Sequence, residues 1–120
     1  MSIPITVSVV AYVGPSTKNG ELDARVTPEV LNLPALPFDG PTTITFRIES
    51  ADVIFDDVGI VFAGDTDNQF GQPWYSQDRR QVMVENQNYS GRAYPYTIFV
   101  KSTKEERKGS FDPVVQNDTR

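Results

Sequence analysis

Cysteine and histidine are both absent from the 120-residue sequence. Without cysteine there is no disulfide framework, no thiol nucleophile and no thiolate metal site. Without histidine, the Ser-His-Asp and Cys-His catalytic arrangements and the usual imidazole sites for zinc and copper are excluded. We therefore expect no cofactor and no zinc or copper centre, because the remaining oxygen ligands suit calcium or magnesium.

Long apolar runs and excess positive charge are also lacking. No run approaches the roughly 20 residues of a membrane-spanning helix, and the first residues lack the basic region and cleavage site of a signal peptide. A net charge of -5 opposes affinity for nucleic acid and for anionic membranes. We expect one domain over residues 1–120, cytoplasmic by default. A protein partner or self-association stays open.

The sequence is rich in segments whose apolar residues alternate with polar ones. The pattern is clearest over residues 42–49, where Ile44, Phe46 and Ile48 share one face, and such alternation is typical of a half-buried strand. About seven such segments with turn signals between them predict an all-β, immunoglobulin-like sandwich of two antiparallel sheets. A cupredoxin-like Greek-key sandwich is the alternative.

Two local irregularities are also predicted. Gly59 predicts a bulge within residues 52–63. The prolines within 21–41 predict an irregular edge segment with a short strand near 25–33.

The central strand is predicted at residues 93–101, where Tyr94, Tyr96, Ile98 and Val100 alternate. The two tyrosines are typical of a corner, so we expect both to be buried, with at least one hydroxyl bonded to the backbone near 86–91. The predicted core residues are Val7, Val9, Ile44, Phe46, Ile48, Phe55, Ile60, Phe62, Val84, Tyr96, Ile98 and Val100.

Roughly the last third of the chain resembles a known family. The segments AYPYTIFV (93–100) and FDPVVQN (111–117), with a charged hairpin between them, are similar to the DP-EP family of small bacterial proteins. That family is named after an Asp-Pro pair, here Asp112–Pro113. The resemblance implies an immunoglobulin-like sandwich and no activity, although the chain lacks the core cysteine pair of immunoglobulin domains.

The segment 64–80 is the most suggestive part of the chain for binding. It carries Trp74 and Tyr75, with Phe70 before them and two arginines after them. Aromatic residues on a loop can stack on sugar rings or fill a partner's pocket. In the alternative interpretation, which we favour, Trp74 folds back as a lid over one end of the sandwich, because so long a loop usually needs packing of its own.

Carboxylates offer two further candidate sites. Asp65 and Asp67 begin a calcium-like loop, but the sixth and twelfth positions, where an EF-hand requires Gly and Glu, hold Phe70 and Ser76. A surface turn is therefore the preferred interpretation. Asp57 with Asp65 or Glu85 could form a glycosidase-like acid pair, yet such pairs arise by chance among 16 carboxylates.

We therefore predict a non-catalytic interaction or structural module of unknown partner. A carbohydrate-binding module using the loop aromatics is the alternative, and a carboxylate-based hydrolase is the third candidate. The absence of a nucleophile motif argues against an enzyme.

Overall fold

The structure is a computed structural model that describes residues 3–12, 22–27, 29–32, 41–63, 69–87, 93–104 and 106–116. Within these residues the chain forms strands and no helix. The strands are β1 (Ile3–Tyr12), β2 (Asp23–Thr27), β3 (Val30–Asn32), β4 (Thr42–Ile48), β5 (Val53–Phe62), β6 (Trp74–Tyr75), β7 (Gln81–Asn86), β8 (Ala93–Ser102), β9 (Lys108–Phe111) and β10 (Val114–Gln116).

The strands form two sheets that pack face to face as a sandwich. The first sheet has the order β2-β1-β4-β7-β6, and the second has the order β3-β10-β8-β5, with β9 also paired to β8. The predicted all-β sandwich is thus confirmed. The predicted central strand is also confirmed, because β8 pairs with β5 along one edge and with β9 and β10 along the other.

Two features of the predicted architecture are wrong. The sheets are not purely antiparallel, because β1 pairs with β4 in parallel and β3 pairs with β10 in parallel. The described part of the chain also has ten strands where about seven were predicted. Two of the predicted strands are each divided in two, and the predicted loop 64–80 contributes β6.

The first divided strand lies in the proline-rich segment. In place of one short edge strand near 25–33, β2 joins the first sheet beside β1 and β3 joins the second beside β10. The chain therefore crosses between the sheets here. Alternation alone could not indicate this, because each piece is only three to five residues long.

The second divided strand is the last one, which the sequence predicts over residues 110–116 and which the structure divides at the Asp-Pro pair. Ile98 pairs with Phe111, and Pro95, three residues earlier, pairs with Val114, three residues later, so β9 and β10 keep a single register along β8. Between them the Thr97 hydroxyl donates to Asp112 Oδ1 at 2.7 Å, and the Pro113 carbonyl accepts the Tyr96 amide at 3.0 Å. Pro113 lacks only its own donor, so the pairing passes through it.

The predicted bulge in β5 is confirmed. Pairing with β8 is regular up to Phe55 and resumes at Ile60 with a shifted register. Gly59 lies in this bulge, and a Cβ added there would be 2.8 Å from both Phe55 Cβ and Tyr75 Cε2. Glycine is therefore required by close approach.

One hydrophobic core lies between the sheets. Eleven of the twelve predicted core residues are buried, and Phe62 is partly buried against them. The rings of Phe46 and Tyr96 meet across the two sheets edge to face, with centroids 5.3 Å apart. The buried residues missing from the prediction lie mostly on the short or edge strands, and include Ala11, Leu22, Ala24, Val26, Leu31, Val53, Val82 and Val115. The described part of the chain has no helix with the length and hydrophobicity of a membrane span.

Candidate functional site

The aromatic pair Trp74–Tyr75 forms β6, an edge strand of the first sheet. Trp74 pairs with Met83 and Tyr75 with Val82. Because neighbouring side chains of a strand point to opposite faces, Tyr75 packs against the core while Trp74 faces outward and is 47% exposed. The predicted aromatic cluster is therefore divided between two faces.

Tyr75 anchors β6 to the bulge of β5. Its hydroxyl accepts the Gly59 amide at 2.8 Å, and its ring meets Phe55 edge to face at 6.2 Å. The guanidinium of Arg79 lies over the Tyr75 ring at 4.2 Å from the centroid. This ring is part of the fold and is not available to a ligand.

The two arginines also have structural roles. Arg79, with a positive φ of 59°, donates to the carbonyls of Asp56 at 2.5 Å and Asp57 at 3.1 Å. Arg80 donates to the carbonyls of Ile48 at 3.0 Å and Val53 at 3.3 Å, thereby joining β4 of one sheet to β5 of the other. Arg79 thus satisfies carbonyls that the bulge leaves unpaired, and Arg80 ties the two sheets together.

Phe70 has the packing role that was predicted for Trp74. Its ring stacks on Phe62 with centroids 4.0 Å apart and meets Tyr94 edge to face at 5.2 Å. Phe70 also bridges to Asn86 of β7. The segment does pack against the sandwich, as predicted, but the lid residue is Phe70, and Trp74 is not buried.

The outward row around Trp74 crosses the first sheet. Register places Trp74 beside Met83, Met83 beside Thr45, and Thr45 beside Thr6. We call these four residues the Trp74 face. In the next row the Thr43 hydroxyl donates to Glu85 Oε1 at 2.8 Å. Sequence reasoning missed this face, although the polar alternation of residues 42–49 and 81–85 was the available signal.

A groove adjoins the Trp74 face where β6 turns into β7. Its volume is about 380 Å3, and it is lined by Ser76, Gln77, Asp78 and Gln81; we call it the polar groove. The Ser76 hydroxyl donates to Asp78 Oδ1 at 2.6 Å, and the Arg80 amide donates to the same oxygen at 3.0 Å. These two bonds lower the pKa of the Asp78 carboxyl below its ordinary value of 3.8. The groove therefore presents a fixed carboxylate at neutral pH.

Comparison with known proteins adds no relatives. No protein-family model matches the chain, and no curated protein is significantly similar to it.

The remaining predicted ligand residues, Asp65 and Asp67, lie outside the described residues. Among the described residues no three carboxylates come together as a metal-binding group. Asp57 lies 3.3 Å from the ammonium of Lys101 on the outer side of the second sheet, whereas Glu85 bonds to Thr43 on the outer side of the first sheet. Asp57 and Glu85 therefore do not face a common cleft.

A second concave surface, of about 730 Å3, lies beside the β8–β9 hairpin and includes Lys101 and Lys108 in its lining. Asp56 lies between these lysines, 3.8 Å from the Lys101 ammonium and 3.3 Å from that of Lys108. Burial opposes ionisation of Asp56. The Asp57 amide and the two lysines outweigh that effect, and they hold the pKa of the Asp56 carboxyl below 3.8. The two lysines therefore stabilise the ionised carboxylate of Asp56 in the bulge.

Tyr94 and Tyr96 are buried, as predicted. The Tyr96 hydroxyl has no hydrogen-bond partner among the described residues. The bond predicted from at least one of the two hydroxyls to the backbone near 86–91 stays a prediction, because residues 88–91 lie outside the described residues. Burial raises the pKa of the Tyr96 hydroxyl above its ordinary value of 10.0.

Proposed function

We propose that the chain is a non-catalytic interaction module that binds its partner through the Trp74 face. The observation that carries the proposal is the 47% exposure of Trp74 on a paired strand. An exposed tryptophan on an ordered strand contributes contact area without the cost of ordering a flexible loop.

The proposal depends on adjacent residues having different roles, one in the fold and the other in binding. Tyr75 and Arg79 already fix β6 to the bulge, so the fold does not need the exposed part of the indole. A purely structural residue would place its apolar surface against the core, as Tyr75 does. In this proposal the indole of Trp74 faces outward because it contacts the partner.

The test compares Trp74→Ala with Val61→Ala. Val61 is 43% exposed on the second sheet and is a matched control. We expect Trp74→Ala to lower the free energy of unfolding by about 1 kcal/mol or less, because about half of the side chain is already in water. It should also abolish interactions that wild type and Val61→Ala retain. Thermal melts give the stability, and quantitative affinity capture with light scattering gives binding and self-association.

Two results contradict the proposal. A loss of several kcal/mol in Trp74→Ala would assign the residue to the fold. If the two variants have identical capture and self-association profiles, the interface lies on another surface.

We further infer from the C-terminal resemblance that the chain belongs with the small bacterial DP-EP proteins and has an immunoglobulin-like sandwich. The Asp112–Pro113 pair at the junction of β9 and β10 supports this kinship. A crystal structure of a DP-EP protein with the same strand order would test it.

A further inference from the structure

The Trp74 face and the polar groove are continuous along the β6–β7 hairpin. Trp74 pairs with Met83. Two residues further along, the Ser76 amide donates to the Gln81 carbonyl at 2.9 Å, and the Gln81 amide donates to the Ser76 hydroxyl at 3.0 Å. Two residues of a strand span about 7 Å. An exposed aromatic plane and a polar groove thus lie side by side on one hairpin.

The groove is lined by groups that bind hydroxyls. Among the described residues, no group hydrogen-bonds to the side-chain amides of Gln77 and Gln81, and only Oδ1 of Asp78 is engaged. Each amide offers a donor and an acceptor, and Asp78 Oδ2 offers an acceptor. Adjacent hydroxyls on a ligand would satisfy both kinds of group.

The charges restrict the ligand further. The lining of the polar groove contains one carboxylate, and the exposed Arg47 lies beside Gln81 on the next strand, so the local charges balance. The net charge of -5 for the whole chain disfavours an anionic ligand. A protein partner is also a poor fit to the groove, because the buried centre of a protein interface is more apolar and depleted of charge.

We propose that this surface binds an uncharged glycan, with one sugar ring stacked on Trp74 and the neighbouring ring hydroxyls bonded in the polar groove. This inference rests on the proposed function and names its ligand class. It differs from the aromatic platform predicted from the sequence, because Tyr75 and Phe70 pack inward and Gln77, Asp78 and Gln81 replace them.

The test is affinity gel electrophoresis of the full chain in gels that contain neutral polysaccharides (a β-glucan, a xylan, a mannan) or acidic polygalacturonate. We expect at least one neutral polymer to retard wild type and polygalacturonate to have no effect. Trp74→Ala should weaken the interaction at least tenfold, Gln81→Ala should weaken it several-fold, and Val61→Ala should leave it unchanged. Melting curves of all variants confirm that they are folded.

The other outcomes separate this inference from the proposed function. If no neutral polymer retards wild type, and a neutral glycan array is also negative, the glycan inference is wrong. The proposed function then still stands if Trp74→Ala alone loses a protein partner or self-association. Retardation that survives in Trp74→Ala would overturn the glycan inference at this face, whereas the proposed function would still be decided by the capture and light-scattering comparison. Retardation by polygalacturonate alone would overturn the assignment to uncharged glycans.

Discussion

The Tyr96 hydroxyl shows what one buried polar atom costs the fold. It is fully desolvated between Phe46 and Phe62 and has no partner among the described residues. A desolvated hydroxyl without a hydrogen bond is unfavourable. We expect Tyr96→Phe to leave the free energy of unfolding unchanged or to raise it by up to about 1 kcal/mol.

Urea denaturation measures this difference, with Tyr75→Phe as the control. The Tyr75 hydroxyl accepts the Gly59 amide, so Tyr75→Phe should lower stability by about 1 kcal/mol. A comparable loss in Tyr96→Phe would mean that its hydroxyl is bonded after all, as the sequence predicted for at least one of Tyr94 and Tyr96.

Asp56 makes stability depend on acid pH. Its pKa in the folded protein lies below 3.8, so the ionised carboxylate stabilises the fold above that ordinary value. The contribution disappears as pH falls through the folded pKa. In Asp56→Asn we expect a deficit in unfolding free energy that is constant near neutral pH and closes in acid.

Chemical denaturation at a series of pH values from neutral to strongly acidic checks this prediction. Asp57→Asn is the control, since the Asp57 side chain is 91% exposed and exposed ion pairs contribute little. A deficit in Asp56→Asn that is equally large in acid would show that shape, and not charge, is what Asp56 supplies.

Among the elements, the long strands were predictable from sequence and the short ones were not. β4 and β8 have seven and ten residues, enough for alternation to define a buried face. β6 has two residues, so no period exists to show which of Trp74 and Tyr75 faces inward. We expected Trp74, which has the larger apolar ring, to face the core. Tyr75 is inside because its hydroxyl reaches the bulge amide, a contact between residues 16 positions apart.

The candidate site was predictable only in part for the same reason. The favoured interpretation of Trp74 as a buried lid is wrong, because Trp74 is 47% exposed, and its role in binding stays a prediction. The polar groove depends on the pairing of β6 with β7 and on the turn between them, which brings Ser76 beside Gln81. Serine, glutamine and aspartate in a polar segment give no distinctive signal of their own.

The bulge of β5 gives a direct test of element packing. Gly59→Ala would place a Cβ 2.8 Å from Phe55 Cβ and Tyr75 Cε2, a distance that forces the bulge or β6 to move. We expect a loss of about 1 to 3 kcal/mol in unfolding free energy. Gly71→Ala is the control, because its nearest contact would be Glu85 Cβ at an ordinary 3.8 Å. Equal thermal melts for the two variants would contradict this account of the bulge.

At the scale of the whole molecule, the two outer faces have different characters. The Trp74 face combines an indole with the hydroxyls of Thr45 and Thr6, whereas the outer side of the second sheet carries the ion pairs of Asp56 with Lys101 and Lys108. The proposed binding surface therefore lies on one side of the sandwich, and these ion pairs lie on the other. One core lies between them, so substitutions on either face can be interpreted separately only if the sandwich stays folded as a unit.

That cooperativity is itself a prediction. β4 and β8 each have strands on both edges, Phe46 meets Tyr96 across the core, and Arg80 joins Ile48 of one sheet to Val53 of the other. Neither sheet can separate without exposing the core of the other.

In native-state hydrogen exchange, the slowest amides of β4 and β8 should therefore report the same free energy, equal to that of global unfolding. β6, an edge strand of two residues, should exchange through smaller local openings. If either central strand exchanged at a lower free energy than the other, the two sheets would be separate cooperative units, and the shared core would not govern stability.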